Sequence, residues 1–557
     1  MRASFFPGDR SFWFAPLLLA ALTFAAYAPV VRNGFIFDDD LHITQNATMT
    51  DPDGYRRIWA GGDFQYYPLT FSVFKLQRSL WGLDPRGYHL LSVILQAAIA
   101  VIFGFLLQRL RVPGAWWAAA LFAVHPVHVE TVAWATEHKN LLYMIFALTA
   151  TDRWLAYRAS GRSRDYALSL AAYAACMLSK TSACLLPFVF LVLDWRERRP
   201  VGRSVLLKIA PFLLFGACMS LVTVIYERRL LGSEFGLTGA LIERPLLVGR
   251  TFWFYLGKLI WPTGLSFTYQ RWVLDAGAPL HWLAPAAALT LFTLAWRRRE
   301  DLGRSPAAAL ASYLLLLFPV IGFIPNYSNR FSFVADHYAY FASLPVLALL
   351  PAALQRALKS KTARAIVLTV AVIGLAGATW VRVPVFRDSE SLWRDTIDKN
   401  PSAWMAWYNL GSEELAQGRW VEAADHFKGA VRLAPTLGMG WHQLGLSLWN
   451  AGDHPAAVEA FTRSPEVAPG HVARVAPRLS LARTYLGISA VKSGRTKEAA
   501  EHFRRAVELS PDCSSCWINL ARAQAQSGER PRARESCRRA MTLDRNEAAA
   551  EFCRTLR

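Results

Sequence analysis

Three consecutive aspartates, Asp38, Asp39 and Asp40, follow an apolar run in VVRNGFIFDDDLHITQNATMTD. Carboxylates at a membrane boundary are costly to desolvate, and clustered like charges raise one another's pKa. Such a group can serve as a general base. Taken alone, the run equally reads as a solvated loop start in which one Asp caps the next helix. Its neighbours favour chemistry. FAVHPVHVETVAWATEHKNLLY brings His125, His128, Glu130, Glu137, His138 and Lys139. MLSKTSACLLP adds Lys180, and RFSFVADHYAYFASLP adds Arg330, Asp336 and His337. Carboxylates, imidazoles and cations together suit anionic head-group binding beside acid–base chemistry. They also offer ligands to a divalent metal, although no ligand spacing commits to one.

The elements that must position these residues divide the chain. Over all 557 residues 54% are apolar and 18% charged, and the net charge is +20. Such a composition excludes a disordered chain, and seven cysteines exclude a disulfide-stapled mini-domain. The average hides two halves. Residues 1–383 read as a multi-span bundle, 384–400 as a linker and 401–557 as a soluble helical array. A bilayer core needs about 20 apolar residues in a helix. Such runs lie near 12–31, 88–107, 115–133, 140–157, 165–179, 183–195, 206–225, 280–296, 308–324, 338–356 and 365–382. The stretch 246–261 carries Arg250 and Lys258 and reads as interfacial or re-entrant.

Eleven crossings place five basic loops on one face, around Arg109/Arg111, Arg158–Arg164, Arg196–Arg203, Arg297–Arg304 and Arg356–Arg364. By the positive-inside rule that face is cytoplasmic. The Asp run, the histidines, the lysines and the C-terminal half then share the opposite side. Residues 401–557 hold 21 basic and 16 acidic side chains, whereas the first 400 hold 40 and 25. The positive charge thus sits mainly in short loops between spans. It forms no continuous basic face and argues against a nucleic-acid partner.

The C-terminal half repeats itself. Leu410, Leu444, Leu486 and Leu520 form one column, Gly418, Gly452, Gly494 and Gly528 a second, and Ala423, Ala457, Ala499 and Ala533 a third. Each column steps by 34, 42 and 34 residues, with the eight extra residues near 470–477. A 34-residue period with small residues at these positions resembles the tetratricopeptide repeat. Pro435, Pro469 and Pro511 should stop the second helix of their repeats. Stacked pairs make a solenoid with a concave groove suited to a protein partner or acceptor. Cys513 and Cys516 form a CxxC with neither a thioredoxin-like strand nor a second CxxC nearby. Outside the cytoplasm it suggests a disulfide involving Cys513, Cys516, Cys537 or Cys553, with free thiols as the alternative.

The ordered blocks NGFIFDDD, YPLT…LWGLDPRGYHLLSVILQ, FAVHPVHVE, LSK and VADHYAYFASLP, followed by these repeats, make the chain similar to a known family. It resembles the transmembrane and tetratricopeptide-repeat O-mannosyltransferases and their bacterial relatives over nearly its whole length. The resemblance implies an all-α fold: a GT-C-like transmembrane bundle followed by a tetratricopeptide-repeat solenoid. It implies a sugar donor linked to a polyprenyl phosphate and work on the non-cytoplasmic face. For a bacterial relative that means an inner-membrane protein with its repeats in the periplasm. It puts the catalytic Asp pair on Asp38 and Asp39, with Asp40 leaving the register open by one. The donor-binding positions it suggests are His125, His128, His138, Lys139, Lys180, Asp336 and His337, and the charge pattern itself adds Arg330. The chain departs from the family pattern at Asn140, at Thr181 and at His337, where acid, acid and Arg are expected.

A lipid-phosphate sugar carries its own leaving group, so the chemistry needs a base for the acceptor hydroxyl and cations for the departing phosphate. Asp38 or Asp39 is the base, and Lys139, Lys180 and Arg330, with His337, are the cations. Attack opposite the leaving group predicts inversion at the anomeric carbon. Trp59, Tyr66 and Trp134 are aromatic candidates for sugar or lipid contact, with interfacial anchoring as the alternative. A non-catalytic membrane scaffold that presents the repeats is the competing reading, and a transporter of anionic solutes is a third.

Overall fold

The structure is a computed structural model. It describes residues 13–63, 65–231, 241–322, 327–467, 472–544 and 547–556, and among these every regular element is helical. Two compact units meet at a boundary between Asn400 and Pro401.

In the first unit the helices are α1 (Phe14–Tyr27), α2 (Gly54–Ala60), α3 (Pro68–Trp81), α4 (Pro85–Arg109), α5 (Ala115–Ala123), α6 (Val129–Ala133), α7 (His138–Ser160) and α8 (Ser163–Ser179). There follow α9 (Leu186–Arg196), α10 (Arg203–Leu231), α11 (Arg244–Ile260), α12 (Leu283–Arg297), α13 (Ser305–Leu317), α14 (Ala339–Ala357), α15 (Lys361–Arg382) and α16 (Ser389–Lys399). Among the described residues five segments are long and apolar enough to cross a membrane: Phe14–Arg32, Pro85–Arg109, Arg203–Arg229, Asp336–Ala357 and Lys361–Phe386. This is a multi-pass membrane protein.

The run 115–133 is not one helix. The residue before a proline is pushed out of the α region, and His125, ahead of Pro126, is extended at φ −75° and ψ 124°. The break leaves α5 with nine residues, a rise of about 13.5 Å. The 384–400 linker is also not a loose tether. A turn over Val383–Phe386 leads to α16, which buries Leu392, Trp393 and Thr396 and is capped by Asp388 accepting from the Ser391 N–H.

Contacts between elements define two ends of the unit. At one end Arg109 pairs with Asp152 (2.9 Å), Arg158 with Asp194 (3.0 Å) and Arg198 with Glu300 (3.1 Å). Arg196 Nε donates to Ser305 Oγ (3.0 Å), and Arg356 donates to the Leu302 carbonyl (2.7 Å). These contacts join all five basic loops into one layer. Helices α7 and α14 end in that layer, and α8 and α15 begin in it. Their opposite termini carry His138, Asp336–Tyr338, Lys180 and Arg382. The acid–base residues are therefore gathered at the other end.

In the second unit the helix pairs are α17 (Trp404–Ala416) with α18 (Trp420–Leu433), α19 (Gly438–Asn450) with α20 (His454–Val467), α21 (Val472–Lys492) with α22 (Thr496–Leu509), and α23 (Ser514–Gln526) with α24 (Arg530–Leu543). A last helix, α25 (Glu547–Thr555), follows. Ala423, Ala457, Ala499 and Ala533 are all fully buried, where a larger side chain would force the paired helices apart. The four column glycines have φ between 76° and 88°, the left-handed turn that joins each pair. Trp407, Trp441 and Trp517 each donate through Nε1 to the carbonyl of Pro401, Pro435 and Pro511, at 2.9 Å every time. Disulfides join Cys513 to Cys516 and Cys537 to Cys553, with Cα separations of 5.3 and 5.7 Å. Arg2, Arg10, Pro469 and part of the 470–477 insertion lie outside the described residues.

Candidate active site

The loop after α1 sends its three carboxylates in different directions. Phe37 sits at φ 46°, a left-handed conformation that costs energy for a residue with a Cβ. Its ring is held edge-on by Phe267 (5.6 Å) and Trp393 (5.2 Å), and tilted against Trp134 (5.9 Å). Asp39 is fully buried. Its Oδ2 accepts from the Ile36 N–H (2.9 Å), and its Oδ1 from the Thr136 N–H (2.7 Å) and Oγ1 (2.6 Å). It pins the Asp loop to the turn between α6 and α7. Burial pushes its carboxyl up to about 7, against the pull of those hydrogen bonds. Asp40 is exposed and accepts from Thr44 Oγ1 (2.7 Å).

Asp38 is the one that meets the charged cluster. It is partly buried. Desolvation raises its carboxyl above the usual range, Lys139 and His337 pull it down, and Glu137 pushes it up. Its backbone is fixed, because the carbonyl accepts from the His42 N–H (3.1 Å) and from His42 Nδ1 (2.8 Å).

The cluster is built on Glu137, whose side chain is 1% exposed. Lys139 Nζ lies 2.9 Å from its Oε1 and Lys180 Nζ 3.9 Å from its Oε2. Lys180 also donates to Asn140 Oδ1 (2.6 Å), and Asn140 Nδ2 reaches the His337 carbonyl (3.4 Å). Burial alone would raise the Glu137 carboxyl, but Lys139, Lys180 and His337 outweigh it and hold it well below the ordinary range. Burial lowers the Lys180 ammonium to about 8. His337 Nδ1 is 2.6 Å from Glu130 Oε1, and Glu130 Oε2 accepts from the Asp336 N–H (3.1 Å). Asp336 Oδ1 in turn accepts from the Tyr269 hydroxyl (2.6 Å). Two largely buried lysines thus flank a buried carboxylate, with the Asp38 carboxylate within reach of the Lys139 charge.

The other expected positions go elsewhere. His125 caps its own turn, Nδ1 accepting from the Val127 N–H (3.3 Å) while Nε2 donates to the Leu259 carbonyl (3.1 Å). His128 is spent on the Phe122 carbonyl (2.9 Å) and Ser343 Oγ (3.0 Å). His138 Nε2 meets Ser92 Oγ and the Tyr88 carbonyl, both at 3.1 Å. All three imidazoles are fully buried and hold the bundle together, so none offers a donor contact. Arg330 stacks over Phe331 (5.4 Å). Trp134 is 4% exposed, covered by Phe37 and Phe267, and unavailable to a sugar. Trp59, bonded to Ser72 Oγ (3.1 Å), remains exposed. Among the described residues no group of three or more His, Cys, Asp or Glu is placed to hold a metal ion.

Comparison with known proteins bears on both units. The family description "Tetratricopeptide repeat" matches residues 386–437 and 486–551. Protein O-mannosyl-transferase Tmtc1 of Drosophila melanogaster is 32% identical over 161 residues, covering 26% of this chain and 18% of the relative. Protein O-mannosyl-transferase tmtc2 of Xenopus laevis is 30% identical over 168 residues, covering 28% and 20%. Protein O-mannosyl-transferase F38B6.6 of Caenorhabditis elegans is 23% identical over 443 residues, covering 75% and 63%. The last alignment is longer than the repeat unit can supply and must enter the membrane unit. The chain is similar to parts of these O-mannosyl-transferases and carries tetratricopeptide repeats. It spans about a fifth of the fly and frog relatives and 63% of the worm relative. Among solved structures, YrrB, a tetratricopeptide-repeat protein with a peptide-binding site, covers 30% of the chain at 20% identity and a TM-score of 0.23.

The residues that organise the cluster are less legible in the sequence than those that charge it. Glu130 and Glu137 stood in the quoted block, but their partners are fixed only by tertiary contact. Asn140 stands where the family pattern has an acid, yet its amide oxygen still receives Lys180. Tyr269 lies in a stretch with no motif at all.

Proposed function

We propose that the chain is a membrane glycosyltransferase that moves a hexose from a polyprenyl-phosphate donor to an acceptor hydroxyl, including that of protein Ser or Thr. The observation that carries this reading is Asp38, a partly buried carboxylate facing Lys139, Glu137 and His337 at the end of the bundle opposite the basic loops. The names of the relatives support transfer of a sugar. A passive scaffold has no use for buried lysines around a buried glutamate.

In this reading Asp38 takes the acceptor proton as the hydroxyl oxygen attacks the anomeric carbon. The bond from that carbon to the phosphate oxygen breaks on the opposite face, and the configuration inverts. Lys139 and Lys180 stabilise the phosphate as it leaves, in a site where fixed charges need no reorganisation. Glu137 favours the charged form of Lys180 and stands between it and Lys139 until the donor phosphate arrives. The five basic loops face the cytoplasm, so the reaction takes place outside it. Two disulfides in the repeats suit an oxidising compartment such as the periplasm. There the repeat groove would present the acceptor.

The test uses purified full-length protein with a serine/threonine peptide pool. Undecaprenyl-phosphate [3H]mannose and GDP-[3H]mannose are offered separately. Label is expected in peptide only from the lipid-linked donor. Transfer from the nucleotide sugar alone would contradict the proposal.

A further inference from the structure

The segment between the last span and the repeats is built into the loop that carries Asp38. The Gly34 N–H donates to the Arg387 carbonyl (2.7 Å), and Asn33 Nδ2 reaches the Val383 carbonyl (3.3 Å). A Cβ on Gly34 would lie 3.4 Å from the Arg387 oxygen, so the two backbones run in close contact. Three residues further on, Phe37 is inserted among Trp134, Phe267 and Trp393. Trp393, on α16, is 1% exposed and packs edge-on against Phe267 as well (5.4 Å). Nothing else in α16 reaches this pocket as a ring.

The geometry makes a strained residue depend on this wall. Phe37 holds φ 46° directly before Asp38. A bulky residue keeps such a backbone only where surrounding contacts over-determine it. Two of its three neighbouring rings, Trp134 and Phe267, are themselves packed together at 5.3 Å. Trp393 closes the remaining side. Without it, Phe37 gains room to relax to negative φ, and the carboxylate that follows it swings away from Lys139 and His337. Thr136 would still hold Asp39, so the loop would stay attached while the base lost its aim.

We propose that Trp393 is a positioning residue: acting through Phe37, it fixes the direction of the Asp38 carboxylate. α16 is therefore part of the catalytic apparatus rather than a spacer before the first repeat, from which only residues 400–403 separate it. The inference rests on Asp38 as the base, and its test has one arm that does not require activity.

Full-length wild type, Trp393→Ala and Trp393→Phe are compared with undecaprenyl-phosphate [3H]mannose and the peptide pool. Misplacement of a reacting group by about 1 Å costs on the order of a hundredfold. Trp393→Ala is expected to lose at least about tenfold in kcat, with the donor KM unchanged because both lysines stay in place. Trp393→Phe keeps an aromatic edge against Phe37 and should recover most of the rate. In parallel, amide exchange at Asp39 and His42 should accelerate in Trp393→Ala only, while α7 and α8 keep their protection. Wild-type kcat in Trp393→Ala, or a loss that Trp393→Phe does not restore, overturns the proposal. Should the wild type transfer nothing from this donor, the glycosyltransferase reading fails and the exchange data alone judge the positioning. Unchanged exchange at Asp39 and His42 would then overturn it.

Discussion

Asp38 and Asp39 are adjacent in sequence and differ in task because their partners differ. Asp39 is a buried acceptor for three donors. An asparagine there would turn an amide donor toward one of them, so its loss would report on folding. Asp38 has its backbone tied down, and its carboxylate feels the charges of Lys139 and His337. Two titrations then bound the working pH. The base must be ionised, and burial raises Asp38, so kcat should climb with pH through a pKa above the ordinary carboxylate range. Lys180 is charged only below about 8, so phosphate binding should weaken as pH rises past that value. Donor KM measured from pH 6 to 9.5 is expected to rise above pH 8 in the wild type. It should stay flat in Lys180→Arg, whose guanidinium remains protonated. A flat wild-type profile would remove Lys180 from the phosphate site.

At the scale of elements, the parts legible in the sequence were those with a local cause. The repeat columns keep a 34-residue phase because each helix pair repeats one packing problem, and alanine, leucine and glycine each answer one piece of it. Gly452 shows how local the cause is. It sits at φ 88° with nothing within 4 Å of a built Cβ, so only backbone strain opposes a side chain. Gly452→Ala should destabilise the α19–α20 pair by about 1–2 kcal/mol. The measurement is amide exchange of that pair in the full chain, and unchanged protection would contradict the assigned turn. The His-Pro block was equally visible, but its role was not. A buried histidine and a ligand histidine look alike until Leu259 and Ser343, 134 and 215 residues away, take up the ring nitrogens. The glutamates were equally visible without their roles, since Glu130 finds its partners 206 and 207 residues downstream. How the 384–400 stretch packs was not legible, because the rings that Trp393 meets belong to Phe37 and Phe267, far away along the chain.

In the whole molecule, the membrane unit is ordered by its own two ends. One collects five arginine-rich loops held to each other by ion pairs and carbonyl bonds. The other collects Asp38, Glu137, Lys139, Lys180 and His337. All four cysteines of the repeat unit are paired, whereas Cys176, Cys184 and Cys218 of the membrane unit are free. This asymmetry fits repeats that mature outside the cytoplasm. Sugar transfer by this chain depends, in the proposed reaction, on the carboxylate at the second end. The direct measurement is label transfer from undecaprenyl-phosphate [3H]mannose by wild type, Asp38→Asn and Asp40→Asn, each confirmed as folded by its thermal transition. General base catalysis contributes about 10²–10⁴-fold, so Asp38→Asn should fall by that factor while Asp40→Asn, whose carboxylate is exposed, keeps the wild-type rate. Full transfer by a folded Asp38→Asn protein would contradict the account.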